Sequence, residues 1–597
     1  MSEARDVEVS TWDQIIPRTY ARLMLIFNLG DHCTDSTANI QAVSHHLQAS
    51  LKTLASRKPI YTSRLFLSPD GKTVFRTENH QEGILFQEMN KSGMAETQAR
   101  EPKRFPHFSD IQKKGYPQEA FFKPIFDDDG QPKRGRTAIV GNRVCENESA
   151  SVPVCKVKAI FIPGNGLLLV IFYHHCFGGG DAMGKFIKDF AACSRGDDPH
   201  LDYVVSMPPD IVQAAHEIER ATNWKNLLTR CPEYTHLGDI DTDTYDESSV
   251  PNEILEKWPE PYGPTQPDKR YPLITSGTIN ADEAAVTNKN ENICRILQFK
   301  RKGPDSIDQL KREIASYSEG IRNYTSRPLP TTNTVIAALI WFHSVRARIM
   351  AGEQIPNYQA HNLRKPNPGE SHFYMPVDWK NRYWPSYDTA ATSTTSHCAS
   401  LSSSVSKIPP ERKNFASASV ALSTVSIPVD NILSTAVTSA ISPLSTSISN
   451  LAQYIVPAVE RTRDQVTLEY VATRAALIQS IPDVRSVVIT YNPEDPVDFY
   501  FNSWINFGAD SIWWFGDCTY NNDEISKPEN EYHAKKKRLR YADCLRRADA
   551  GTGKGSAVVL PSKQIDSVIE TIISLPKAAM EVLLKDQGLL RYVDRVI

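Results

Sequence analysis

The sequence predicts an α/β protein with more than one lobe, and three observations carry the prediction. Apolar runs of strand length are followed by segments whose apolar residues recur at helical spacing. The 597 residues exceed one ordinary domain of roughly 150 and suit two larger α/β lobes. A polar stretch rich in Pro, Asp and Thr, residues 236–290, separates the two dense regions and is the candidate linker. The expected organisation is an N-terminal lobe over 1–235, the crossover linker, and a C-terminal lobe over 291–597.

In chain order, YARLMLIF (Tyr20 to Phe27) suits a strand. Ile40, Val43, Leu47, Leu51 and Leu54 then mark one face of a helix, which Lys58-Pro59 ends because the residue before proline avoids helical geometry. From Lys156, VKAIFIP and LLLVIFY flank GNG and read as a hairpin. Its second strand runs into His174-His175, and after the glycines Met183, Phe186, Ile187 and Phe190 open a helix. In the second half ICRILQFKR reads as a strand. TTNTVIAALIWFHSVRAR reads as a helix with a Thr/Asn cluster at its start. FYMPVDW reads as a short strand, 447–476 as one helix, and Val487–Tyr491 and Phe499–Phe507 as strands. Thr389 to Ser426 is Ser/Thr-rich and is expected to be a surface insertion; the charged stretch 520–555, with KKKRLR from Lys535, is expected to be a solvated loop.

Composition excludes several classes. Lys plus Arg total 67 against 70 Asp plus Glu, a net charge of -3, without the basic excess of a general nucleic-acid binder. The ten cysteines are scattered without a CxxC pair or zinc spacing, so free thiols and no metal are expected. The polar start MSEARDVEVS has no signal-peptide pattern, and the longest apolar run, Leu167 to Tyr173, is too short for a bilayer. The expectation is a cytoplasmic monomer that binds neither nucleic acid nor membrane.

The sharpest chemical feature is His174-His175-Cys176-Phe177-Gly178-Gly179-Gly180. Histidines leave a buried strand at a glycine loop, where the chain can bend freely and a ligand can approach the backbone. An imidazole there can take a proton from a hydroxyl near neutral pH. A structural pair that caps the strand is the alternative reading. Phosphate cradling lacks the Lys-Ser/Thr of a P-loop.

Around these residues the sequence resembles the BAHD acyltransferases, in particular the fungal branch that acylates secondary metabolites. FIPGNGLLLVIFYHHCFGGGDAMGKFIKDFA resembles the segment that holds the family's HHxxxDG motif. STWDQIIPRTYARLMLIFNL, LQASLKTLASRKPIYTSRL, TTNTVIAALIWFHSVRAR, MPVDWKNRYWP, FNSWINFGADSIWWFGD and LPKAAMEVLLKDQGLLRYVDRVI resemble further family segments in the right order. The resemblance implies two similar α/β lobes, each a mixed sheet with helices, and a channel between them, as in chloramphenicol acetyltransferase. It also implies acyl-CoA as co-substrate with no bound cofactor, a small natural-product acceptor, and His175 as the catalytic base with His174 in support.

The departures from the family pattern are specific. Gly179 stands where the motif aspartate belongs, and Asp181 lies two residues later. The family's Asp-x-Arg-x-Arg region reads Asp378-Trp379-Lys380-Asn381-Arg382, so one arginine is a lysine, a point charge without the guanidinium fork. Trp513-Trp514-Phe515-Gly516-Asp517 occupies the place of DFGWG. Asn502, Ser503 and Trp504 are candidates for the oxyanion site, and Trp504, Trp513 and Trp514 for the substrate channel, with strand capping and core packing as alternatives. The leading function is acyl transfer to a hydroxyl or amine. A donor-independent cyclase, condensing enzyme or pericyclase on the same fold is the second reading, and a non-catalytic metabolite-binding relative the third.

Overall fold

The computed structural model describes residues 7–16, 20–30, 37–68, 72–77, 83–89, 106–121, 125–126, 132–133, 151–199, 209–236, 292–322, 329–352, 369–379, 420–433, 448–516 (without 483, 485, 486 and 494), 539–547 and 554–597 (without 564). In the N-terminal half these include β1 (Tyr20–Asn28), α1 (Thr37–Arg57), β2 (Leu85–Met89), β3 (Cys155–Ile162), β4 (Gly166–His174) and α2 (Gly180–Ser194). Next come α3 (Pro209–Ala221), β5 (Asn292–Lys300), α4 (Thr332–Met350), β6 (Glu370–Asp378) and β7 (Val420–Pro428). The chain closes with α5 (Leu468–Ser480), β8 (Asp498–Ser503), β9 (Cys544–Arg547), β10 (Ser556–Val559), β11 (Val568–Pro576) and β12 (Val593–Val596).

A five-stranded sheet has the order β9-β1-β4-β3-β2, and a seven-stranded sheet the order β7-β6-β8-β10-β11-β5-β12. The hairpin expected around GNG is present: β3 and β4 pair antiparallel from Ile162↔Gly166 to Cys155↔Tyr173. Every residue of β4 is buried, which explains its unbroken apolar reading. Leu167, Leu169, Ile171 and Tyr173 pack with α1 and α2, while Leu168, Val170 and Phe172 pack with Phe108, Ile111 and Phe121 on the other face. The stripe of α1 predicted from Ile40 to Leu54 is buried, and the helix stops before Pro59 as expected. Helix α4 starts at its Thr331 N-cap, whose Oγ1 accepts the Thr334 N–H at 3.1 Å.

The large sheet is covered on both faces. Phe373, Phe499, Phe501, Ala557 and Ile573 belong to the core built with α4, whereas Trp504, Val558, Ile572 and Ile296 join the core of α1 and α2. Side-chain alternation thus directs one face of this sheet toward the first lobe.

Several expected boundaries change. Residues 209–229, placed in the first lobe, pack through Ile211, Ala215, Leu227 and Leu228 into the core built on α4 and α5. Tyr234–His236 pairs with Val487–Ile489, so the lobe boundary expected at 235 falls inside a packed unit. Conversely, β9 lies in the stretch expected as a charged loop but pairs with β1 from Cys544↔Ile26 to Arg547↔Leu23. Its two arginines find partners inside the protein, which a charge count along the chain cannot reveal. The end of the expected Ser/Thr-rich insertion is β7, paired with β6 along nine positions, because β-branched and small polar residues suit a half-buried strand. The helix expected over 447–476 breaks at Gln465, and α5 restarts at Thr467, whose side chain caps Tyr470. The strand expected to reach Phe507 ends at Ser503, and the one expected over Val487–Tyr491 ends at Ile489. Residues 237–291, 389–419, 517–538 and 548–553 lie outside the described residues, and with them most of the expected linker, insertion and charged loop. Among the described residues no helix is long and apolar enough to cross a membrane.

Candidate active site

The site is built where β4 ends. His174 is the last strand residue and is fully buried. Its ring meets Tyr20 edge-on at 5.0 Å, and its Nδ1 accepts the Cys176 N–H at 3.3 Å, so it caps the turn that follows. His175 opens that turn and is half-buried. Burial, followed by the positive charge of Arg547, pulls its pKa down to about 4, so the imidazole is neutral at physiological pH.

Packing accounts for two of the glycines, Gly180 and Gly184. A Cβ on Gly180 would fall 1.8 Å from the Phe507 ring, and one on Gly184 would fall 3.3 Å from the Phe507 Cα. The start of α2 therefore seats the turn after β8, and Gly180 clears space for a protein ring. Gly179 is the N-cap residue of α2, in extended geometry with no side-chain cap. Asp181, in the first turn of α2, is partly exposed and pairs with Lys185 at 3.3 Å.

From the second lobe, Phe499 and Phe501 of β8 point into their own core, so strand alternation turns Tyr500 and Asn502 to the opposite face, toward the first lobe. Trp504, just past the strand, belongs to the first-lobe core. Its ring stacks on Phe507 at 5.7 Å and carries the Arg547 guanidinium at 5.2 Å. Burial lifts the Tyr500 hydroxyl to about 12, with the Arg547 charge acting the other way, so it remains a donor at neutral pH. His175, Arg547, Tyr500 and Trp504, from three separated segments, thus form one group. Arg547 and Tyr500 were missed from the sequence: nothing in CLRRAD or DFYFN distinguishes them from ordinary strand and loop residues.

The other candidates are placed as follows. Asn502 accepts the Ser503 N–H on its own Oδ1 at 2.7 Å. Ser503 alternates to the core-facing side, away from Tyr500 and Asn502, and its buried Oγ has no hydrogen-bond partner among the described residues. Trp513 is fully buried between Phe27 and Phe190, at 5.8 and 5.0 Å, so core packing rather than a channel explains it. Trp514 packs edge-on against His46 at 4.9 Å, on α1. Asp378 ends β6 beside Trp379, which packs on Trp12 at 6.0 Å; Lys380 and Arg382 lie outside the described residues.

A buried ion pair beside the site joins the lobes. Arg546, fully buried on β9, binds both carboxylate oxygens of Glu570 on β11, and also donates to the carbonyls of Tyr116 at 2.9 Å and Gly115 at 3.1 Å. Gln298 adds a hydrogen bond to Glu570 at 2.9 Å, and Arg546 and Gln298 together hold that carboxyl below its ordinary range despite burial.

No family model matches the chain. The enoyl-CoA isomerase/hydratase claC of Penicillium crustosum is 24% identical over 358 residues, 58% of this chain and 31% of that protein. The chain thus spans about a third of the length of the curated relative it matches. Fusarium sporotrichioides TRI101, solved with coenzyme A and T-2, is 13% identical with a TM-score of 0.53 over 99% of both chains. F. graminearum TRI101, solved with coenzyme A and deoxynivalenol, matches with the same identity, TM-score and coverage. The chain has the two-domain mixed α/β fold of the BAHD acyltransferases, as the motif resemblance implied.

Proposed function

We propose that the chain is an acyl-CoA-dependent acyltransferase of natural-product metabolism, with His175 as general base on an acceptor hydroxyl or amine. The observation that carries this reading is a half-buried histidine at a strand end, held neutral by burial and a nearby arginine, where the two lobes meet. The imidazole takes the acceptor's proton as its oxygen or nitrogen attacks the thioester carbonyl. The tetrahedral oxyanion then collapses, the carbon–sulfur bond breaks, and the proton passes to the leaving thiolate to give free CoA. Tyr500 and Asn502 lie on the strand face turned toward the first lobe and are candidates to donate to that oxyanion.

Coenzyme A bound to TRI101, of the same fold, supports the choice of donor, and the similar claC is named for an enoyl-CoA. The test is incubation with a panel of acyl-CoAs and hydroxyl or amine acceptors, reading released thiol. His175-dependent thiol release supports transfer. No release with any donor, together with His175-dependent conversion of a metabolite alone, would replace it with a donor-independent cyclisation or condensation.

A further inference from the structure

An indole N–H buried in a protein core usually finds a hydrogen-bond partner, because a donor taken out of water without one costs free energy. Trp12 and Trp379 depart from this rule together. Trp12, on the short helix Thr11–Ile15, is 2% exposed, and Trp379, one residue past β6, is 4% exposed. Their ring centroids lie 6.0 Å apart at 46°. Both Nε1 atoms are buried, and neither has a hydrogen-bond partner among the described residues. Gln479 on α5 adds a buried acceptor in the same condition, Oε1, while its Nε2 reaches Thr11 Oγ1 at 3.4 Å. The pair stands close to the proposed base. The helix Thr11–Ile15 packs on the turn His175–Phe177, and the Ile16 carbonyl accepts the Cys176 thiol at 3.6 Å. Strands β6 and β8 are parallel, from His372↔Asp498 to Tyr374↔Tyr500, so Trp379 and Trp504 leave the sheet at the same end.

We propose that Trp12 and Trp379 form a neutral donor subsite that holds a carbonyl or ether oxygen of the acceptor, at a point remote from the atom that His175 deprotonates. The proposal rests on the role of His175 given above. Both indoles belong to the core built on α4 and α5, where a charged group would be costly to place. A neutral oxygen brings lone pairs for the N–H groups and needs no counter-ion. Donors left unpaired in the free chain also make the subsite selective. A hydrocarbon in the same place leaves them unsatisfied, whereas an oxygen recovers the bonds.

The test reads the two N–H groups directly, without turnover. Full-length chain isotope-labelled at the indole nitrogens of its nine tryptophans is observed by nuclear magnetic resonance. Trp12→Phe and Trp379→Phe assign the two signals by their disappearance. If either variant fails to fold, the Overhauser contact between the packed rings assigns the pair in the wild-type chain. The labelled chain is titrated with 1-indanone and with indane, which differ by one carbonyl oxygen. The expected result is a downfield move of at least one of the two indole protons with 1-indanone and of neither with indane, with 1-indanone bound about tenfold more tightly. The double variant should bind the two probes alike. Indole protons that stay in place with 1-indanone, that move equally with both probes, or a preference that survives in the double variant would overturn the proposal. A chain that releases no thiol from any acyl-CoA yet shows the 1-indanone shift keeps the subsite and loses the acyltransferase reading, and an active acyltransferase without the shift loses only the subsite.

Discussion

The two faces of the five-stranded sheet treat the same residue types in opposite ways. His174 and Arg546 lie on one face, His175 and Arg547 on the other side of the same doublets. His174 is fully buried and caps its turn through Nδ1. Arg546 is also fully buried, with a carboxylate and two carbonyls as partners. Their neighbours are half-buried, and Arg547 lies over the Trp504 ring, just past β8 of the second sheet. Lys156 and Lys158 share the His174 face, where burial lowers them to about 7 and 8; Lys156 lies over the Tyr20 ring at 4.4 Å. The difference teaches that strand alternation can divide a repeated residue into one copy that holds the fold and one that is open to chemistry.

The strongest way to break this comparison is at the histidines. His175→Ala should lower turnover by about 10²- to 10⁴-fold with little change in melting temperature, as expected for loss of a general base. His174→Ala should mainly lower melting temperature. Turnover and unfolding measured on both variants test the division, and a dead His174→Ala beside an active His175→Ala would reverse it.

The arginines give the next effect. Arg546→Ala leaves Glu570 buried without its partner and should destabilise by about 3–5 kcal/mol in denaturant titration. The pair replacement Arg546→Met with Glu570→Leu should recover most of that loss, because the desolvation of both charges is removed together.

Packing at the site comes third. Gly180→Ala drives a methyl into the Phe507 ring and should cost about 1–3 kcal/mol, with Phe507→Leu restoring part of the stability. Thermal unfolding of the single and double variants measures the coupling. Gly179→Asp should not raise turnover and stability together, because burying a carboxylate is costly.

The smallest effect is in pH dependence. With His175 pushed down to about 4, kcat/KM should stay level as pH falls through 6.5, the ordinary histidine range, and decline only toward pH 4. Arg547→Gln removes the smaller of the two causes, so the acid limb should move up by a fraction of the total shift. A wild-type limb near 6.5 would show that the imidazole is solvated like a free one.

Continuous or periodic apolar patterns were legible. The β3–β4 hairpin, α1, α2 and α4 are stretches in which each local segment carries its own burial signal. The place of His174 and His175 at a buried strand's end was legible because two histidines interrupt such a pattern at glycines. Strand β9 was hidden because its stability comes from Glu570 and β1, far away in sequence. The placement of Arg547 and Tyr500 was hidden as well, since it depends on which strand face meets the other lobe. Trp513 and Trp514 show the opposite error: aromatic residues beside a motif suggest a ligand, but the buried ring of Trp513 fills the core between β1 and α2, and Trp514 packs on α1. The break at Gln465 was readable in principle, since Thr467 has the side chain of a helix N-cap.

Strand β9 also sets a timetable for biosynthesis. Its partner β1 ends at Asn28, but β9 begins at Cys544, about five hundred residues later in synthesis. At ~5–20 residues per second, β1 would wait on the order of half a minute to two minutes with one ladder of backbone groups unfilled. An unpaired apolar edge invites association with other chains, so the nascent first lobe is the stage at which chaperones would matter most. For the same reason, two halves expressed separately should not fold independently; the N-terminal half should become soluble only when the segment containing β9 is supplied with it.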